Sequence, residues 1–279
     1  MITDLSWMLQ DIVDNVPHAR HAVLLSADGL PRGATEGLGN ADVGTVSAAM
    51  AGLQALSGTA ARFVGHCEDN PWQQTVVEFE HGWIFLIGAG QGACLAAAAA
   101  IDVDLQQISF RMHRLVARLG SSLTSPPRPD TGPATERPGR PRIVSGDGGR
   151  PVLAELDAVI DEVGGARHAV LLGADGLPRG ATSGVSQDLA DTVSAAMTGI
   201  HAYSRAAERF TGAGRGGRWR QTVIEYRHGW VFLISARDGA LLVGAAGTDT
   251  DIERFTARLH QVAPGLGAGH GVREEARST

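Results

Sequence analysis

The sequence contains no lysine; all 24 of its basic residues are arginine. A phosphate-binding loop needs a lysine to reach the β- and γ-phosphates, and Schiff-base chemistry needs a side-chain amine. Both are excluded. Cysteine is nearly as scarce. Cys67 and Cys94 make neither a disulfide framework nor a metal cluster, and they fit a reducing, cytoplasmic setting. Positive charge is not in excess: the formal net charge of −6 and a pI near 5.9 argue against a nucleic-acid partner, which would call for a basic stripe. The longest apolar run, around Cys94–Ile101, is far short of a membrane span, so no direct membrane insertion is expected. Met1–Val16 carries acids within its apolar periodicity and lacks a basic leading segment, so it does not read as a signal peptide. The Gly-x-Ser-x-Gly pattern of a nucleophile elbow is missing as well.

What the chain does have, it has twice. His21–Thr35 reads HAVLLSADGLPRGAT and His168–Thr182 reads HAVLLGADGLPRGAT, 147 positions later. That offset also carries Val46–Met50 onto Val193–Met197 and Trp72–Ile87 onto Trp219–Ile234 without a gap. Two copies are too few for a solenoid, and each is long enough for a core. The expected division is a first copy over 1–120, a Pro/Gly/Arg-rich linker over 121–150, a second copy over 151–266 and a frayed tail over 267–279. Extended at about 3.1 Å per residue, the linker would reach roughly 90 Å, enough for the copies to pair or to stay apart.

Within each copy, periodicity predicts a helix, two strands, a helix, three strands and a helix. Leu5, Leu9, Ile12 and Val16 form the first helical stripe, repeated by Val152, Leu156, Val159 and Val163. Asp28-Gly29 reads as a type I′ hairpin turn, and Pro31, lacking an amide proton, marks the returning strand as an edge. Asn40 or Asp42 is the expected cap of a second helix ending near Ala61. Thr75, Val77 and Phe79 alternate with Val76, Glu78 and Glu80, and His81-Gly82 is the expected turn of that hairpin. The last helix is expected from Asp102, with a stripe of Leu105, Ile108, Met112, Leu115 and Leu119. The sum is an α+β fold: two domains, each a five-stranded, mostly antiparallel sheet carrying helices.

Candidate chemistry is thin. Gly88–Gly92 resembles a dinucleotide loop, but it lies between strands and the second copy keeps only the last glycine, so an ordinary turn is the better reading. His21, His81 and His113 recur as His168, His228 and His260 without metal-ligand spacing. Asp28 with Arg32, and Asp175 with Arg179, are explained by turn chemistry and a solvated arginine. No catalytic residue, metal ligand or cofactor is predicted. The second helix is the anomaly. Val46, Met50 and Leu53 form a core stripe, matched by Val193, Met197 and Ile200, while its other side is crowded with small residues such as Ser47, Ala48, Ala51 and Gly52. Such a side suits close approach by a second domain or a protein partner.

The order of elements, with the motifs LLSADGL, VSAAM and HGWIFLI, resembles the roadblock/dynein light chain domain, in particular the version found in actinobacterial conservon operons. The resemblance covers Met1–Leu119 and Pro151–Leu266 and implies a profilin-like sheet. It also implies dimerisation through the second helix and a non-enzymatic regulatory or scaffolding role toward a small Ras-like GTPase. Transferred to this chain, the partner or dimer interface comprises Thr45, Val46, Ala49, Met50 and Leu53, with Thr192, Val193, Ala196, Met197 and Ile200. The duplication departs from the pattern: the two copies could form within one chain the dimer that a single-domain member forms from two. A small-ligand-binding sensory module is the alternative function.

Overall fold

The computed structural model describes residues 5–65, 70–90, 92–120, 153–212 and 217–267. The linker, most of the predicted tail, Cys67 and Gln91 of the Gly88–Gly92 turn lie outside the described residues. The first copy comprises α1 (Ser6–Asn15), β1 (Ala19–Ser26), β2 (Pro31–Ala34), α2 (Asn40–Ala60), β3 (Trp72–Phe79), β4 (Gly82–Gly90), β5 (Ala93–Ala100) and α3 (Leu105–Gly120). The second repeats the order: α4 (Ala154–Glu162), β6 (Ala166–Leu172), β7 (Pro178–Ala181), α5 (Gln187–Ala206), β8 (Trp219–Tyr226), β9 (Gly229–Ser235), β10 (Leu241–Gly247) and α6 (Ile252–Val262). Short 3-10 turns, Ala61–Val64 and Glu208–Thr211, follow α2 and α5.

The two five-stranded sheets are one sheet of ten strands, in the order β2-β1-β5-β4-β3-β8-β9-β10-β6-β7. β3 and β8 pair antiparallel across the junction, with Val76 opposite its own repeat, Val223. That residue pair marks a pseudo-twofold axis relating the copies. β2 and β7 are the two edges, where Pro31 and Pro178 cost no ladder bond.

Helices cover both faces. α2 and α5 lie together on one face, over a single core to which both copies contribute: Val46, Met50, Leu53 and Phe63 with Val193, Met197, Ile200 and Phe210. On the opposite face, α1 and α3 close a core around Leu9, Ile12, Ile108 and Met112. α4 and α6 close another around Leu156, Val159, Phe255 and Leu259. Each copy therefore owns one core and shares the other.

The local chemistry of turns and caps differs from expectation. Only Gly29 of the Asp28-Gly29 pair has a positive φ, 81°. Its amide donates to Ser26 O and the Ser26 amide to Leu30 O, both at 2.9 Å, with a register slip between Leu24 and Leu25. This is a turn closed by a bulge glycine, in place of the type I′ turn that needs two positive φ values. The second hairpin turns one residue earlier than expected, at Glu80-His81, and neither His81 nor His228 has a positive φ. Gly82 already pairs with Phe79 in the ladder. It is glycine because a Cβ there would lie 2.4 Å from Ala99 O on the neighbouring strand. α2 starts from Gly39 with no side-chain cap, whereas Ser186 Oγ caps α5 by accepting from the Leu189 amide at 3.2 Å. At α3 the cap is Asp104, whose Oδ1 accepts from the Gln106 and Gln107 amides at 2.9 and 3.0 Å. Asp102 instead lies 3.1 Å from His18 Nδ1.

Candidate functional site: the paired second helices

The closeness of α2 and α5 follows from their glycines. A Cβ on Gly52 would sit 2.5–2.7 Å from the ring of Tyr203, and one on Gly199 would sit 2.4 Å from Leu56 Cδ1. Gly52 and Gly199 are equivalent positions, as are Leu56 and Tyr203, so each helix offers a notch that the other fills. This is the geometry of an isologous dimer interface, realised within one chain. Hydroxyl pairs tie the helices to the sheet below: Ser57 Oγ to Thr75 Oγ1 at 3.0 Å, and Ser204 Oγ to Thr222 Oγ1 at 3.1 Å.

Several other contacts crossing between copies come in symmetric pairs. Arg20 donates to Thr211 O and Arg167 donates to Val64 O. Phe210 stacks on His21 with ring centroids 6.2 Å apart, and Phe63 tilts against His168 at 5.7 Å. Gln74 donates to Glu225 at 2.5 Å and Gln221 to Glu78 at 2.6 Å, across the β3–β8 seam. Some contacts have no counterpart, among them Arg220 to Glu78 at 3.3 Å and the His228 amide to Asn70 Oδ1 at 2.9 Å. Tyr226 Oη donates to Ser57 O at 2.5 Å, and the position equivalent to Tyr226 is Phe79.

Of the residues expected at the interface, Val46, Ala49, Met50, Leu53, Val193, Ala196, Met197 and Ile200 are buried. Thr45 is exposed and Thr192 half-buried. The outward face of the pair is made by neighbours: Thr45, Ala48, Ala55 and Thr59 from α2, with Ala195, Ala202 and Tyr203 from α5. Across α2 the only ionisable residue is Asp42, so its outward face is small and nearly uncharged. α5 differs, carrying Asp188, Asp191 and Arg205. Sequence reasoning missed Phe63, Phe210, Arg20 and Arg167 as joints between the copies. Each recurs at the 147-residue offset, which was the available signal.

The remaining candidates stay apart. His21 lies on β1 against Phe210, and burial with the nearby Arg20 charge holds its pKa below 6.5. His81 is in a turn, and His113 on α3 has Nδ1 2.8 Å from Ser109 O. Among the described residues no group of three or more His, Cys, Asp or Glu could hold a metal ion. Asp28 is kept below the usual carboxylate range chiefly by a hydrogen bond from Ser26. Asp175 forms a solvent-facing ion pair with Arg179 at 2.5 Å. Burial raises the Cys94 thiol to about 11, so it is an inert core residue. The face opposite α2 and α5 has a cleft of about 480 Å³ lined by Glu78, Arg218, Arg220, Ser235 and His260. There Glu78 is engaged by Arg220 at 3.3 Å, and His260 Nε2 lies 3.1 Å from Gln221 Oε1. Among the described residues no helix is long and apolar enough to cross a membrane.

Comparison with known proteins places this architecture. A Roadblock/LC7 domain matches residues 5–99 and again residues 153–246. A Roadblock/LC7 domain structure from Streptomyces avermitilis is 32% identical, with 44% of this chain and 100% of that chain covered and a TM-score of 0.42. A second from the same organism is 28% identical, with coverages of 42% and 98% and a TM-score of 0.34. The gliding protein MglB of Thermus thermophilus is 20% identical, with coverages of 42% and 87% and a TM-score of 0.37. No curated protein sequence matches the chain. With the domain matched twice and each match ending within its own half of the ten-stranded sheet, the chain belongs to the Roadblock/LC7 family as a tandem member.

Proposed function

We propose that the chain is a non-enzymatic regulator or scaffold that binds a small Ras-like GTPase through the outward face of α2 and α5. The observation that carries this reading is the pairing itself. Helices packed through the Gly52 and Gly199 notches present an outward surface of Thr45, Ala48, Ala55, Ala195, Ala202 and Tyr203 above a shared core. Membership of the Roadblock/LC7 family supports it, since regulation of such GTPases is what the family resemblance implies. A small-residue surface lets a partner's backbone come close, and a charge placed there would be desolvated without compensation. The test uses a purified small GTPase from the same host, loaded with GDP or a GTP analogue. The expected result is binding, with altered hydrolysis or exchange, that Ala48→Glu together with Ala195→Glu weakens at least tenfold while the fold is unchanged. No binding in either nucleotide state, or equal binding by the double variant, would sink the reading.

The cleft beside His260 favours a second reading, a small-ligand sensory module, because it sets arginines and carboxylates together in a concave site. A metabolite that raises the melting temperature of the wild type but not of Arg220→Ala would support it.

A further inference from the structure

The two copies differ on the surface of their first and last helices. In the first copy Trp7 on α1 and Phe110 on α3 are among the most exposed large apolar side chains, at 62% and 63%. The equivalent positions in the second copy are Ala154 and Ala257. α1 and α3 touch, and Arg111 Nη1 lies 3.8 Å from Asp11 Oδ2 across the contact. Trp7 is one helical turn before Asp11, and Phe110 immediately precedes Arg111. Trp7 and Asp11, four residues apart, share one side of α1, and the Trp7 and Phe110 rings are both solvent-exposed.

The charges around them are sorted by helix. α1 contributes Asp11 and Asp14, and α3 contributes Arg111, Arg114 and Arg118. An acidic helix thus runs beside a basic one, with an aromatic anchor on each. A surface of that kind complements itself. A twofold axis lying in the interface plane, along the helices, lays α1 of one molecule on α3 of the other, acid over base. The corresponding face of the second copy also carries ion pairs, Glu162 with Arg254 and Arg258 at 3.6 and 2.5 Å, but has alanine at both anchor positions.

We propose that the α1–α3 face of the first copy is a self-association surface, and that two chains pair through it into a closed dimer holding four roadblock domains. Trp7 and Phe110 are its anchors, and the Asp11/Asp14 and Arg111/Arg114 rows set its register. The second copy, lacking the anchors, forms no such contact, so association stops at two chains and does not run on into a filament.

The test is sedimentation or light scattering on the full chain. The wild type at tens of micromolar is expected at twice its 29.1 kDa chain mass, and Trp7→Ala with Phe110→Ala at the single-chain mass. These substitutions copy the residues the second copy already carries, so a loss of fold is not expected, and circular dichroism checks it. Independently, Arg114→Asp should shift the wild type toward single chains by tenfold or more in dissociation constant. A wild type that stays at single-chain mass at 100 μM overturns the proposal. A dimer indifferent to both the alanine and the charge-reversal variants also overturns it, since that association would run through another face.

Discussion

Gly52→Ala is the sharpest probe of the paired helices, because local and tertiary effects oppose each other there. In an isolated helix the change gains about 1 kcal/mol. In this fold the new methyl would meet the Tyr203 ring at 2.5–2.7 Å, closer than carbon atoms approach. Tyr203 is 40% exposed, so its ring can swing outward and leave the α2 notch. Losing that packing costs about 1–2 kcal/mol, comparable with ordinary overpacking. The net expectation for Gly52→Ala is no gain, or a loss of up to about 1 kcal/mol. In a Tyr203→Ala background the ring is gone, and the same substitution should stabilise by about 1 kcal/mol. The coupling across the cycle is then about 1–2 kcal/mol, above the few tenths that separate non-interacting sites. Urea unfolding of the four proteins measures it. If Gly52→Ala stabilises equally in both backgrounds, α2 and α5 are not in contact in solution and the intrachain dimer is refuted.

Two further outcomes follow from the joints between the copies. His21 is held below 6.5 by burial and Arg20, so the fold favours its neutral ring, and below about pH 6.5 the unfolded chain binds a proton that the folded chain does not. Stability should therefore be constant above that pH and fall beneath it, by some fraction of about 1.4 kcal/mol per pH unit for this half-buried ring. His201 and His260 are lowered by burial too and act in the same direction. Denaturant melts from pH 8 to 5 should show a shallower decline in His21→Gln, and identical slopes would count against the buried position. Tyr226→Phe removes the hydroxyl bonded to Ser57 O and should cost about 1 kcal/mol. Because Phe79 occupies the equivalent position, the core accepts the ring, and a loss above about 3 kcal/mol in thermal or chemical melts would show that the hydroxyl does more than make one bond.

Much of this was legible in the sequence. Alternation in β3 assigned Thr75, Val77 and Phe79 to the buried side and Val76 and Glu78 to the other, because side-chain period alone decides which residues share a face. Pro31 indicated an edge strand through its missing donor, and β2 is one. The apolar stripe of α2 named the buried members of the candidate site, since core residues announce themselves by hydrophobicity. Its exposed members did not, because Ala48 and Ala195 look alike in sequence whether they meet solvent, a sister helix or a partner. Turn chemistry was misread at His81-Gly82 for a related reason. A glycine can serve a positive φ or a crowded neighbour, and only the position of Ala99 O shows which.

The sequence by itself determined the duplication, the element order and the side of β3 that faces inward. All three depend on local period and on comparing the chain with itself. Only the tertiary structure decided that Val76 meets Val223, that one core is shared by both copies, and that Gly52 holds Tyr203 of the opposite half. Those are contacts between residues well over a hundred positions apart. No local propensity encodes them, and they are fixed by the apolar area that each half leaves uncovered and the other is shaped to cover.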